Sequence, residues 1–138
     1  MESTTRQLKL ASAFVIASGL FVLLGSWDTT SEPLRLFAEV LFWTNTEQVE
    51  VAKEANLLSA ILGGVMLSWG MLYWMLTDLL RDDPARIKRI FLISIWAWFV
   101  ADTLGSILSG GVVNVLFNLV YLSIFVLPLR NIEAVDPG

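Results

Sequence analysis

The chain has 138 residues, 56 % of them hydrophobic and 16 % charged, with a mean hydropathy of +0.69 and a formal net charge of −4. Soluble domains carry about a quarter charged residues, so the balance points to lipid, and the length suits a single membrane domain over residues 1–138. With no Cys and no His, disulfides, thiol redox pairs, His-ligated zinc and His-based triads are excluded, and the acidity argues against a nucleic-acid partner.

The first apolar run, Leu10–Trp27, is uncharged over eighteen residues. Its basic start, Arg6 and Lys9, invites a secretory-signal reading, but the run exceeds the roughly 7–15 residues of a signal core and Leu24-Gly25-Ser26-Trp27 is a poor cleavage site. A retained membrane anchor is expected. The segment after it, Asp28 to Ala55, is the one sizeable connection. Ser31-Glu32-Pro33 marks a helix start, and Leu34, Phe37, Val40 and Leu41 then share one face. This predicts a short amphipathic helix at the external interface from Pro33 to Trp43. Thr44 and Glu47 form a capping-box pattern that opens a further helix, continuous with the next span. Glu47, Glu50 and Glu54 make an acidic stripe on it. The stripe reads as a weak cation site or a docking face for a basic partner, or as a solvated helix face partly neutralised by Lys53; the last is favoured, since a hard-cation site needs six or more converging oxygens.

Three more runs follow: Leu57–Leu76, within a helix expected over 56–80; Ile90–Leu108, charged only at Asp102; and Val112–Leu129. At about 1.5 Å per residue each covers roughly the 30 Å hydrocarbon layer. Strands are excluded by the lack of alternation. The expected fold is all-α, an integral membrane bundle of four transmembrane helices (10–27, 56–80, 90–108 and 112–129). Arg81-Asp82-Asp83-Pro84 breaks the second span from the third, and Ser109-Gly110-Gly111 is a tight turn between the third and fourth. Seven Lys and Arg fall on one side (Arg6, Lys9, Arg81, Arg86, Lys88, Arg89, Arg130) against Arg35 and Lys53 on the other, which predicts cytoplasmic N- and C-termini in the cell (inner) membrane.

Asp102 is the sharpest feature. It lies about 13 residues from Arg89, hence ~20 Å from the basic side, beyond the reach of its short side chain to either headgroup layer. An intramembrane acid costs ~2.5–3.5 kcal/mol even on lenient scales and marks a candidate site. Asp102, Ser106 and Ser109 share a face of the third span, and Asn114, Asn118 and Tyr121 share one of the fourth. Counting outward from the glycine turn sets Asp102 level with Asn118 and Ser106 level with Asn114. Ser18-Gly19 and Gly63-Gly64 reach the same level on the other two spans. The cluster Asp102, Ser106, Asn114 and Asn118 either holds the bundle together by hydrogen bonds or lines a polar cavity for a proton, an ion or a ligand headgroup. Ser59, Gly63, Gly70 and Thr77 share a small-residue face suited to close packing or self-association. Trp69, Tyr73 and Trp74 with Trp96, Trp98 and Phe99 are either packing residues and interfacial anchors or the lining of a lipid- or quinone-like pocket.

The plan over Leu10 to Leu129, with the segment Trp98-Phe99-Val100-Ala101-Asp102-Thr103-Leu104-Gly105-Ser106, Asn114, Asn118 and Leu127-Pro128-Leu129, resembles small bacterial four-helix membrane proteins of the broad DoxX-like group. The resemblance implies a fold and a membrane location without a settled activity. Small multidrug exporters also have four helices, but they carry a carboxylate in the first span, where this chain has none.

There is no internal repeat, phosphate-binding glycine loop, serine elbow or metal-spaced carboxylate pair. The expected role is therefore a non-enzymatic accessory or interaction protein with no cofactor. Its partners would be the lipid bilayer and either a second copy of itself or another membrane protein. A small carrier or proton-coupled transporter, acting as an oligomer through Asp102, is the alternative. A membrane enzyme or redox accessory has only the aromatic cluster in its favour.

Overall fold

The computed structural model describes residues 2–27, 29–42, 53–130 and 132, and among these every regular element is helical. Helix α1 spans Glu2–Leu24, α2 Glu32–Leu41, α3 Lys53–Asp78, α4 Pro84–Leu108 and α5 Asn114–Arg130, with a 3-10 turn at Leu79–Arg81 after α3. The Thr44–Glu47 capping box, Trp43 and the acidic stripe of Glu47, Glu50 and Glu54 fall outside the residues or side chains described. Helix α4 starts where the breaker was read: Pro84 occupies the first turn, and the Asp83 carboxylate accepts the Arg86 N–H at 3.1 Å.

Three segments are long and apolar enough to cross a membrane: Glu2–Leu24, Ala55–Arg81 and Pro84–Leu108. Helix α5 has 17 residues, about 25 Å. It is shorter than the apolar run because Val112 and Val113 belong to the turn before it. The surface has the polarity expected in lipid: Leu57, Leu58, Ile93, Leu104 and Leu116 are exposed, while Ser12, Thr77, Ser106 and Asn118 are buried.

The tightest contact joins α1 and α3. A methyl placed on Gly63 would lie 2.5 Å from the Leu23 nitrogen and 2.7 Å from the Gly19 carbonyl oxygen; one on Gly19 would lie 2.6 Å from the Leu67 nitrogen. Only glycine permits that backbone approach, and between helices in lipid such packing supplies the attraction that water supplies elsewhere. The hydroxyls buried in the seam are satisfied on their own helices, Ser12 on the Leu8 carbonyl and Thr77 on the Tyr73 carbonyl, each at 2.8 Å. The small-residue face of α3 is thus occupied by α1 of the same chain.

At the far end from α2, Lys9 pairs with Asp78 at 2.7 Å and lies 4.3 Å from the Trp74 ring centre, and Lys88 donates to the Ile132 carbonyl at 2.6 Å. This end gathers the basic flanks of α1, α3, α4 and α5. The core above it is aromatic: the Tyr73 ring lies tilted against Phe91 at 4.4 Å and edge-on to Phe125 at 5.0 Å. The Tyr73 hydroxyl is buried beside the polar groups of Ser94 and Trp69 and makes no hydrogen bond of good geometry with either. Removing it should relieve a desolvation cost, so Tyr73→Phe is expected to leave stability unchanged or raise it by about 1 kcal/mol, read as the unfolding midpoint in mild detergent. A clear loss would reveal a partner for the hydroxyl.

Helix α2 departs from expectation in its inward face. Leu34, Phe37, Ala38 and Leu41 turn toward the bundle, whereas Val40 is exposed together with Leu36. The reason is that α2 seats on the bundle end: Leu34 fills the space beside Gly25, and the Phe37 ring lies edge-on to Phe21 and Phe117 at 6.1 and 5.3 Å. On its outer side Arg35 bonds Glu32 and Glu39 at 2.6 and 2.7 Å. The hydrogen bond from Arg35 holds the Glu32 carboxyl below its ordinary range, so the Arg35–Glu32 bond is present at neutral pH and is lost as pH falls through that lowered value.

Candidate functional site

Helices α4 and α5 become antiparallel neighbours through a turn that needs glycine: Gly110 has φ 82°, a left-handed conformation, and its N–H closes on the Ile107 carbonyl at 3.2 Å. The four polar residues singled out in this hairpin are distributed between two bonded groups. Asn114 donates to the Asp102 carboxylate at 3.0 Å and to the Ser106 hydroxyl at 2.9 Å, and Ser106 donates back along α4 to the Asp102 carbonyl at 2.7 Å. Asn118, almost fully buried, donates to the Thr103 hydroxyl at 3.2 Å.

Depth counting therefore brings Ser106 and Asn114 together but assigns Asn118 the wrong partner. Residues 102 and 103 lie at one level yet about 100° apart around the helix. Asn118 meets the Thr103 side, and the Asp102 side is reached from Asn114, one turn further out. Thr103 was overlooked; its signal was a hydroxyl inside an apolar span directly beside the acid. Ser109 stays out of the cluster and bonds the Ser106 carbonyl at 3.2 Å near the helix end.

Tyr121 continues the α5 stripe and ties it to α1 by donating to Ser18, which in turn donates to the Phe14 carbonyl at 2.9 Å. On α3, Gly63 is sealed in the α1 seam and Gly64 faces open space. The level shared by all four long helices thus carries polar side chains on α1, α4 and α5 only.

Asp102, Asn114, Asn118, Tyr121 and Ser18 border a cavity of about 1150 Å³ in the half of the bundle beneath α2, whereas Ser106 and Thr103 do not line it. Ordinary small-molecule sites run to about 300–1,000 Å³. One wall is polar, with Asp102, Asn114 and Asn118; the opposite wall comes from α1 and α3, including Ala17, Ser59 and Met66; the roof is the inward face of α2. Its floor is aromatic: Trp69 stands 5.6 Å from Trp98, which stands 5.7 Å from Tyr121, and Tyr121 stands 5.1 Å from Phe14. Helices α3 and α4 make little contact with one another, and the cavity is partly open to the outside. Of the aromatic cluster read from the sequence, Trp69 and Trp98 reach this floor and Tyr73 the core below it, whereas Trp74 and Trp96 face outward. No group of three acidic side chains able to hold a metal occurs among the described residues. Comparisons with protein-family models, with curated proteins and with solved structures found no match to this chain.

Proposed function

We propose that the chain is a four-span protein of the cell membrane, with both termini cytoplasmic, and a non-enzymatic accessory protein whose task is to hold a lipid-soluble molecule inside the bundle. One observation carries this reading: the partly open cavity of about 1150 Å³, with a largely apolar lining. A second support is that α1 consumes the small-residue face of α3, which weakens self-association through that face and moves the emphasis to a small-molecule partner. Helix α5 serves as the fourth span, since a short helix is accommodated by local thinning of the bilayer at modest cost. The orientation rests on the seven basic residues at one end.

The test is extraction in polymer-bounded native discs followed by mass spectrometry of the intact complex. The wild-type protein should carry a tightly bound apolar molecule, and Ser59→Trp, which projects an indole into the cavity, should lose it. Retention by both proteins, or by neither, would sink the reading. A reporter fused to the C-terminus should be active in the cytoplasm and silent outside.

The carrier reading keeps one specific support, the Asp102 carboxylate on the cavity wall. Asparagine can still accept from Asn114, so Asp102→Asn should leave folding intact; Asp102→Leu should lose a bond worth about 0.6 kcal/mol. Proton-coupled transport through Asp102 would show as uptake driven by a pH gradient into vesicles, abolished by Asp102→Asn. No uptake under either gradient removes that alternative.

A further inference from the structure

We propose that the cavity selects amphiphiles bearing a protonated amine, with the ammonium held at Asp102 and the apolar body over the aromatic floor. The inference rests on the reading that the cavity holds a small molecule, and it adds the chemical class.

The first argument is the direction of the hydrogen bonds. Both N–H bonds of the Asn114 amide are spent, on Asp102 and Ser106. The Ser106 hydroxyl donates to a backbone carbonyl, the Asn118 amide to Thr103, and the Tyr121 hydroxyl to Ser18. Asn118 keeps one amide N–H beyond its bond to Thr103, so the side chain on this wall that can only accept is Asp102, with one carboxylate oxygen engaged by Asn114. An acceptor-only carboxylate on the wall calls for a donor on the ligand.

The second argument is charge. Asp102 lies in a span whose only charged residue between Ile90 and Leu108 is itself. Among the described residues the single basic side chain lining the cavity is Arg35 of α2, and its guanidinium is engaged with Glu32 and Glu39. Among the described residues no cation of the protein meets the carboxylate. A ligand ammonium supplies one, with charge-assisted bonds that a neutral hydroxyl does not match.

The third is the floor. Trp69, Trp98 and Tyr121 offer the ring faces that attract cations, and the same rings receive an alkyl or polycyclic body. The volume exceeds what a bare ammonium or a short amine needs, which selects an amphiphile.

The experiment uses the full-length protein in discs of uncharged and zwitterionic lipid with two photoreactive probes, dodecylamine and dodecanol, each carrying a diazirine at the chain end. Adducts are mapped by peptide mass spectrometry. The amine should label the cavity wall, for example Met66 and Trp69, at a concentration about tenfold lower than the alcohol, the margin expected of a desolvated charge-assisted contact. Asp102→Asn should erase that margin and Asp102→Glu should keep it. Equal labelling of the cavity by amine and alcohol overturns the amine selection while leaving the cavity reading standing. Labelling confined to outward residues for both probes, unaffected by Ser59→Trp, overturns the cavity reading itself. An unchanged margin in a folded Asp102→Asn protein removes Asp102 from the site.

Discussion

Gly63→Ala should be the most damaging single methyl in this protein. The added carbon lies 2.5 to 2.8 Å from the Leu23 backbone and the Gly19 carbonyl, so no side chain can rotate to admit it and the two helices must part along their length. Overpacking a core costs about 1–3 kcal/mol, and a clash with backbone belongs at or beyond the upper end of that range. The neighbouring Gly64→Ala is the control: nothing lies within 4 Å of its new methyl, and alanine in a helix interior gains about 0.5–1 kcal/mol over glycine. Unfolding midpoints in detergent and protease resistance in membranes should separate the two variants in opposite directions. Similar midpoints for both would mean that α1 and α3 do not meet at this seam.

Phe125→Ala should be the next largest. Its ring is fully buried between Tyr73 and Phe91, at the base of the bundle where α3, α4 and α5 converge. In a water-soluble core such a truncation costs ~3–5 kcal/mol, part of it lost transfer from water. Here the unfolded side chain faces acyl chains, so the transfer part falls away. The cavity part remains: at ~24 cal/mol per Å³, a phenyl-sized void on the order of 100 Å³ costs about 2–3 kcal/mol. Leu116→Ala, on an outward face, should cost almost nothing by the same measure. If both variants unfold at the same denaturant concentration, the aromatic core does not hold the helices together.

The elements that announce themselves by length or by a breaker were legible from the chain alone. Apolar runs marked α1, α3 and α4, Pro33 and Pro84 marked two helix starts, and the glycine pair at 110–111 marked the turn. What escaped notice depends on how far apart two helices stand or which way a face turns. The spacing of Gly63 and Gly70 is the same whether the partner is α1 or a second copy. Val40 matches the apolar period of α2, yet the helix is rotated so that Ala38 takes the inward place and Val40 is exposed. Asp102, Ser106, Asn114 and Asn118 could be placed by depth, but pairing also depends on azimuth, which a count of residues does not contain. The cavity itself has no sequence signal: it exists because α3 leans on α1 and leaves α4 to α5.

That division of the bundle into an α1–α3 pair and an α4–α5 pair imposes an order on assembly. Each pair is contiguous in the chain, so the first is complete while 52 residues, from Leu79 to Arg130, are still to be made. At about 5–20 residues per second, making that stretch takes about 3–10 s, so α1 and α3 are made before the second pair. During that interval Ser59, Met66 and Trp69 face the acyl chains as an open half-site. The cavity is therefore the last feature of the protein to exist, and it closes from one side around whatever the bilayer has already placed there.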